Sequence, residues 1–417
     1  MSNQYSKWLV VALLWMVASL NYMDRMAIFA IFPILQREMH LSNVSLAMLG
    51  SVFLWVYGLC SPLGGYLGDR FPRKPVILCS LLIFSAVTLA NGTAHNQTQL
   101  LTLRVLLGIS EALFLPAAVA HIATFHSNST RSLANALVLT GLPAGAGLGG
   151  FYSGFMAEHF SWRIGFYLLG AFGFLLCLVL WIFLPTGDTL ATQIDTNTDD
   201  LSPRISVRAK MAGVLHNRAS ACLIFMAFAL SLTSWPSGSW LPTYFYERFH
   251  MSLTRAGFIL ALVTYSPAIA GGLIGGLLAD HFAKKDANGR ISVQIAALTF
   301  MAPTMLAVGF LSSVQVLSAN LLLYSLARGS LEVNSMPIFS TRLPSDRWAT
   351  AYGLYNLSGT IAGSIGILFV GYFKRSWGIG VSLSGMSLLL FAAIWVMRSA
   401  RDTSSQVSLS AATDVAR

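Results

Sequence analysis

Charge is scarce in this chain: 10% of its 417 residues are Asp, Glu, Lys or Arg, where an average soluble protein carries about 25%. So few charges cannot cover a water-facing surface, which excludes an ordinary soluble enzyme. Cysteine is scarcer still. Cys60, Cys79, Cys177 and Cys222 lie inside or beside apolar runs without paired spacing, which excludes a disulfide framework or a zinc site and predicts buried thiols. There is no Gly-x-Ser-x-Gly, no His-Glu-x-x-His and no Gly-Lys-Ser or Gly-Lys-Thr. The chain thus lacks a serine-hydrolase elbow, a zinc-protease helix and a phosphate loop that would drive work with ATP. No enzyme activity, metal or cofactor is expected.

What is present is apolar: 55% of the residues are hydrophobic and the mean hydropathy is +0.66. One bilayer crossing takes about 20 residues. Runs of that length predict spans at 8–33, 44–68, 75–92, 98–122, 131–156 and 163–184, then at 219–245, 256–280, 291–311, 315–339, 348–372 and 378–397. The expected architecture is all-α, twelve membrane helices in two six-helix bundles, 1–184 and 219–397. A Thr-, Asp-, Ser- and Pro-rich segment, 185–218, has too little apolar surface to bury itself and reads as a linker. Residues 398–417 read as a tail. The first run follows Lys7 and continues past Asp24 and Arg25 without a small-residue cleavage site, so it reads as a first membrane helix and not a signal peptide.

The net charge of +10 does not point to nucleic acid, because the basic residues are dispersed between apolar runs instead of clustered on one face. They follow the rule that positive residues stay inside. The termini, the linker and the connections after even-numbered spans hold 17 of the 26 Lys and Arg; the other connections hold 6 and the spans 3. Both termini are expected in the cytoplasm, and the short loops suit a bacterial inner membrane.

An internal repeat supports the division into halves. After span 2 the chain reads Gly65-Tyr66-Leu67-Gly68-Asp69-Arg70, with Arg73-Lys74 following; after span 8 it reads Gly276-Leu277-Leu278-Ala279-Asp280, with Lys284-Lys285 following. Each copy has a glycine four residues before an aspartate and a basic pair four and five after it. This pair of loops resembles the signature of the major facilitator superfamily, twelve-helix secondary transporters. The resemblance implies gating roles for Gly65, Asp69, Arg70, Arg73, Lys74 and Asp280. Glycine permits close helix approach, and aspartate accepts from an arginine or a helix N-terminus.

Ionisable residues within spans cost about 2.5 to 3.5 kcal/mol each even on a lenient scale and by default face a cavity or a partner. There are six, Asp24, Arg25, Arg104, Glu111, Arg328 and Glu332, enough for three ion pairs of zero net charge. Asn21, Asp24 and Arg25 share a face of span 1. Arg104 and Glu111 are seven residues apart on span 4, and Gly108 between them leaves room for something to sit there. The expected chemistry is that Asp24 and Glu111 exchange protons while Arg25 and Arg104 trade those carboxylates for an anionic group of the substrate. Static interhelical staples are the alternative.

Asn21-Tyr22-Met23-Asp24-Arg25 together with Arg104-x3-Gly108-x2-Glu111 is similar to the Spinster-like transporters and to the anion:cation symporter family of organic-anion carriers. Both resemblances imply that the carboxylates of Asp24 and Glu111 carry protons, beside Arg25 and Arg104. Ser61 to Arg70 and Leu142 to Gly149 lean towards Spinster-like; Trp55-Val56-Tyr57 fits the organic-anion carriers, which implies a substrate contact for Tyr57. Sugar-acid carriers tend to have an amide after the Ser-Gly or Thr-Gly pair of span 5, whereas Thr140-Gly141 is followed here by Leu142. That apolar wall suits a lipid-like or amphipathic anion, such as a lysolipid, more than a polyhydroxylated one.

Gly141, Gly145 and Gly149, spaced by four on span 5, predict close helix packing. Trp235, Trp240 and Tyr244 around Pro236 and Pro242 predict a kinked span 7 with an interfacial belt or an outer gate. Arg328 and Glu332, at i and i+4, satisfy each other or touch substrate. Asn356 is the best hydrogen-bonding candidate of the second half, and His121 the one histidine to consider for proton transfer. The expected function is a monomeric, proton-coupled carrier of an organic or amphipathic anion, working by alternating access with substrate bound between the halves near mid-membrane. A sugar-acid or carboxylate symporter and an uncoupled facilitator are the alternatives, and a sensor without transport would be expected to carry a long cytoplasmic tail. The expected partners are protons, the small or lipid-like anion and the bilayer.

Overall fold

The computed structural model describes residues 2–186, 207–286, 288–344 and 347–415. Among them there is no strand. The first half comprises α1 (Ser2–Ala30), α2 (Phe32–Glu38), α3 (Asn43–Arg70), α4 (Arg73–Asn91), α5 (Gln97–Ala112), α6 (Phe114–Phe125), α7 (Asn128–His159) and α8 (Trp162–Phe183). The second comprises α9 (Val207–His216), α10 (Arg218–Phe249), α11 (Leu253–Leu260), a π turn (Ala261–Tyr265), α12 (Ser266–Ala283), α13 (Gly289–Ala307), α14 (Val314–Arg342), α15 (Trp348–Met386) and α16 (Leu388–Val415). Most of the linker, residues 187–206, lies outside the described residues, as do the side chains of the tail beyond Arg401.

Ten stretches among the described residues are long and apolar enough to cross a membrane. Two of the twelve expected runs do not stand apart in that set. α14 carries Asn320, Arg328, Glu332 and Asn334 and is not one of the ten, and Trp348–Arg401 counts as a single stretch. Within that stretch Gly378 adopts φ 76°, ψ 166°, a left-handed conformation that only glycine takes without strain, so it interrupts α15.

Helix starts and breaks follow local chemistry. Ser42 caps α3 by accepting from Ser45 N at 3.0 Å, and Asn96 caps α5 by accepting from Gln99 N at 2.9 Å. Expected span 4 is two helices, because Pro116 has no N–H for the carbonyl of Ala112 and the chain turns at Leu113. Expected span 8 is likewise split before Pro267, where the backbone widens into the π turn. Span 7, by contrast, runs on as one helix through Pro236 and Pro242.

The chain packs as two compact units, Met1–Pro203 with Gly238–Ala261, and Arg204–Ser237 with Leu262–Arg417. In the first, α7 lies along α1 on a seam of four contacts in register. Gly141 faces the carbonyl of Trp15, Gly145 that of Ser19 and Gly149 that of Met23, each too close to admit a Cβ, and Ser153 Oγ donates to the carbonyl of Ala27 at 2.7 Å. Both partners advance by four residues per contact, so the predicted glycine packing is present. The same unit seats α11 on α7. The carbonyl of Leu253 lies against Gly154 and that of Gly150 against Gly257, while Glu158 accepts from Leu253 N, Thr254 N and Thr254 Oγ1.

In the second unit α12 and α14 meet through Gly271, Gly275 and Gly329, each against the neighbouring helix's backbone or Ser330. Outer faces are apolar: on α8, Leu168, Leu175, Trp181 and Ile182 are at least half exposed, while Phe166, Leu169, Leu176 and Leu180 are buried. A helix with an apolar exposed face fits lipid and not water. Of the four free cysteines only Cys222 is buried; Cys79 is exposed beside Leu82 and Ile83. A small apolar thiol suits that lipid-facing position, so the expectation of four buried thiols is corrected.

Candidate functional site

The α1–α7 seam sets the direction of the ionisable residues on α1. Met23 faces α7; Asp24 is turned about 100° and Arg25 about 200° from it. Arg25 therefore points away from α7, and its Nε donates to Glu111 Oε2 on α5 at 2.5 Å. The pair is 4% and 0% exposed. Three rings enclose the guanidinium: Tyr22 at 4.5 Å, Phe53 at 5.0 Å and Tyr57 at 4.4 Å from its carbon to the ring centroids. Phe53 and Tyr57 are themselves stacked at 5.9 Å on α3. A cation held against aromatic faces keeps much of its stabilisation when water is absent.

Asp24 is fully buried. Its Oδ2 receives the hydroxyl of Thr88 on α4 at 2.5 Å, while its Oδ1 has no partner. Arg104 is 1% exposed with Nε and Nη2 unpartnered, although Asp24 and Glu111 both act on it electrostatically. No ion pair involving Asp24 or Arg104 closes within 4.0 Å among the described residues, so two of the three expected pairs form. Glu111 Oε1 and Asn21 Nδ2 are also buried without partners. Four helices, α1, α3, α4 and α5, thus surround two arginines, two carboxylates and an amide with unspent hydrogen-bonding capacity. Buried polar groups are otherwise paired, so this is where a polar ligand or a proton would find partners.

The room expected beside Gly108 is taken. A Cβ there would meet the carbonyl of Phe53 at 3.1 Å and Val56 at 3.1 Å; glycine lets α3 approach α5 and brings Phe53 and Tyr57 to Arg25. Thr88 and Phe53 were not visible as site residues, since a threonine and a phenylalanine in apolar runs carry no spacing signal of their own.

Elsewhere, His121 is fully buried, lies against Phe125 and has no partner for either ring nitrogen among the described residues. Leu142 is half-buried on α7, and Thr140 Oγ1 accepts from Trp15 Nε1 at 3.1 Å. Trp240 is fully buried edge-on to Phe32, which removes it from an interfacial belt. Of the gating candidates, Arg70 is exposed at the end of α3 and Arg73 half-buried at the start of α4. Lys74 donates to the carbonyl of Trp181 at 2.8 Å, and Asp280 pairs with Arg290 of α13. The surroundings of Gly65 and the side chain of Asp69 lie outside what the structure describes.

In the second unit Arg328 Nε donates to Glu332 Oε1 at 2.9 Å. Asn356 is exposed on α15. The neighbouring Tyr355 accepts from Ser335 Oγ at 3.2 Å.

A family model described as Major Facilitator Superfamily matches residues 14–367 and 223–413. The probable galactarate/D-glucarate transporter GudP of Bacillus subtilis is 25% identical over 401 residues, covering 89% of this chain and 86% of that protein. The hexuronate transporter of the same organism is 22% identical, covering 94% of each. Among solved structures, a bacterial homologue of the human lysosomal transporter Spinster, in an inward-facing and unoccupied conformation, superposes with a TM-score of 0.81 at 18% identity, over 96% of this chain and 98% of that one. The chain therefore belongs to the Major Facilitator Superfamily and is a multi-pass membrane transporter, not an enzyme.

Proposed function

We propose that this protein is a proton-coupled symporter of a sugar acid or a related small carboxylate. The observation that carries the reading is the fully buried Arg25–Glu111 pair inside its aromatic enclosure, beside an Arg104 and an Asp24 that have no ionic partner within 4.0 Å among the described residues. Arg25 uses only Nε on Glu111; its two Nη nitrogens donate to no protein acceptor among the described residues. A substrate carboxylate fits that fork in bidentate fashion. As it does so it competes with Glu111 for the cation, and a carboxylate losing its cation in a dry site is neutralised by a proton. Binding an anion and binding a proton then become one event. One proton entering with one carboxylate moves no net charge, so a 1:1 symport draws on the pH difference, about 1.4 kcal/mol and roughly a tenfold gradient of the acid per pH unit.

The relatives named for galactarate, D-glucarate and hexuronate support the sugar-acid reading over the lipid-like anion suggested by Leu142. The likeness to the Spinster homologue, at 18% identity, concerns the fold. Asp24 and Glu111 are the proposed proton carriers; Arg25, Arg104, Tyr57, Asn21, Asn356, Arg328 and Glu332 the proposed substrate contacts; Gly65, Asp69, Arg70, Arg73, Lys74 and Asp280 the proposed gating residues. The finer architecture belongs to the same proposal: twelve spans with α14 as the tenth, bundles 1–184 and 219–397 joined by the linker 185–218, both termini and the tail in the cytoplasm, and a bacterial inner membrane.

Uptake into proteoliposomes under an imposed pH gradient tests this, with sugar acids, simple carboxylates and lysolipids offered to wild type and Glu111→Gln. Gradient-driven accumulation of a sugar acid that fails in the variant, while exchange of preloaded substrate persists, is the expected result. Equal, gradient-independent flux in both proteins would leave a facilitator with structural ion pairs. Accumulation of lysolipid alone would move the substrate class.

A further inference from the structure

The second unit repeats, at a different place, the way in which Arg25 is held. Arg328 is also gripped through Nε by a glutamate, Glu332, four residues on, and its two Nη nitrogens donate to no protein acceptor among the described residues. Local neutralisation alone would bury such a pair or turn it to the polar end of the helix. Instead the side chains are 20% and 46% exposed, halfway along the 29 residues of α14. Arg328 lies off the outer apolar face, and Glu332 stands at its edge, about 40° round the helix from Met336, itself 39% exposed. Leu322 and Val333, 38% and 46% exposed, lie about 20° apart round the helix, and Arg328 is about 120° from Leu322. The face that Arg328 and Glu332 share holds Tyr324 and Ser335, both buried and hydrogen-bonded. Ser335 in turn holds Tyr355 of α15 beside them.

The open side of the pair combines a two-pronged cationic donor with a carboxylate oxygen that accepts. A bare carboxylate would use only the first, and a neutral sugar only the second. A carboxylate with a hydroxyl on the adjacent carbon uses both, one group on the Nη fork and the hydroxyl donating to Glu332. We propose that Arg328 and Glu332 form a recognition site for the 2-hydroxycarboxylate end of the transported acid, with Glu332 both positioning the fork through Nε and reading the hydroxyl. This deepens, and rests on, the sugar-acid reading of the transporter.

The test measures binding of gluconate and of 2-deoxygluconate to purified wild type, Glu332→Gln, Arg328→Lys and Arg328→Gln, each first checked for an unchanged size-exclusion profile, together with uptake by each. Wild type should prefer gluconate by about 10-fold or more, the worth of one hydrogen bond to a charged group. Glu332→Gln should narrow that ratio to within about 3-fold, and Arg328→Gln should weaken both acids about 10-fold. Arg328→Lys, which keeps the charge without the fork, should weaken gluconate as well. Wild-type uptake of sugar acids with unchanged affinities and ratio in all three variants would overturn the site and leave a locally neutralised pair. A wild type that binds and takes up no sugar acid would overturn the transport reading, and this inference with it.

Discussion

Thr88 has one proton for two acceptors. Its hydroxyl lies 2.5 Å from Oδ2 of Asp24 and 2.8 Å from the carbonyl of Phe84 in its own helix. With Asp24 ionised, the hydroxyl leaves Phe84 and makes a charge-assisted bond to the carboxylate; with Asp24 protonated, the acid donates to Thr88 and Thr88 to Phe84, neutral bonds about half as strong. Thr88 thus distinguishes the two states of a buried acid. Thr88→Val removes the donor to the ionised form, and the pH of half-maximal uptake should move towards alkaline values by about one unit. Thr88→Ser should leave the profile in place. Superimposable profiles for wild type and Thr88→Val would remove Asp24 from the proton path.

Tyr57 can act through its ring or through its hydroxyl, and two substitutions separate them. The ring stacks on the Arg25 guanidinium at 4.4 Å, so Tyr57→Phe should keep KM within about 3-fold if the ring is what matters, whereas Tyr57→Ala should raise it about 10-fold, near 1 to 2 kcal/mol of cation–π contact. Equal losses in both variants would assign the contribution to the hydroxyl.

Arg104 is buried with two donors unspent. Arg104→Lys preserves the charge that faces Asp24 and Glu111 but not the planar fork. KM for a carboxylate substrate should rise at least about 10-fold while the protein remains folded. A KM equal to that of wild type would make Arg104 a fixed counter-charge and not a substrate contact.

Gly145 offers a test of packing independent of transport. A methyl group at this position runs into the backbone of Ser19, which no rotamer change relieves. Gly145→Ala should cost about 1 to 3 kcal/mol, read as an earlier thermal transition in detergent. Gly353, whose Cβ would meet nothing within 4 Å, provides the control: Gly353→Ala should leave the transition in place or raise it slightly.

Much of the helical plan was legible because lipid demands long apolar runs, and because Gly141, Gly145 and Gly149 announce a close approach four residues at a time. The six ionisable residues within spans also stood out, since each is costly in that setting. Their pairing did not. That Arg25 takes Glu111, and that Asp24 takes Thr88 instead of an arginine, depends on the rotation of α1 fixed by Met23 against Gly149, a tertiary fact. The break at Leu113 is implied by Pro116, but the π turn before Pro267 is one of several ways to accommodate a proline, and sequence does not select among them. Gly108 was misjudged for a related reason: an absent side chain marks space without saying whether a ligand or another helix fills it.

The contact between α7 and α11 bears on the order in which the chain can be completed. Glu158 is made 95 residues before the Leu253 amide it receives, a wait of roughly 5 to 20 s at ordinary rates of synthesis. Until then Gly150 and Gly154 form a bare groove and three acceptor positions on Glu158 lack their donors. The first unit is therefore not finished when its six long helices have been translated; it closes only when Gly238–Ala261 emerges. A chain cut in the linker would leave an N-terminal piece with that groove open. Co-translation of residues 204–261, even detached, is what should rescue it from aggregation.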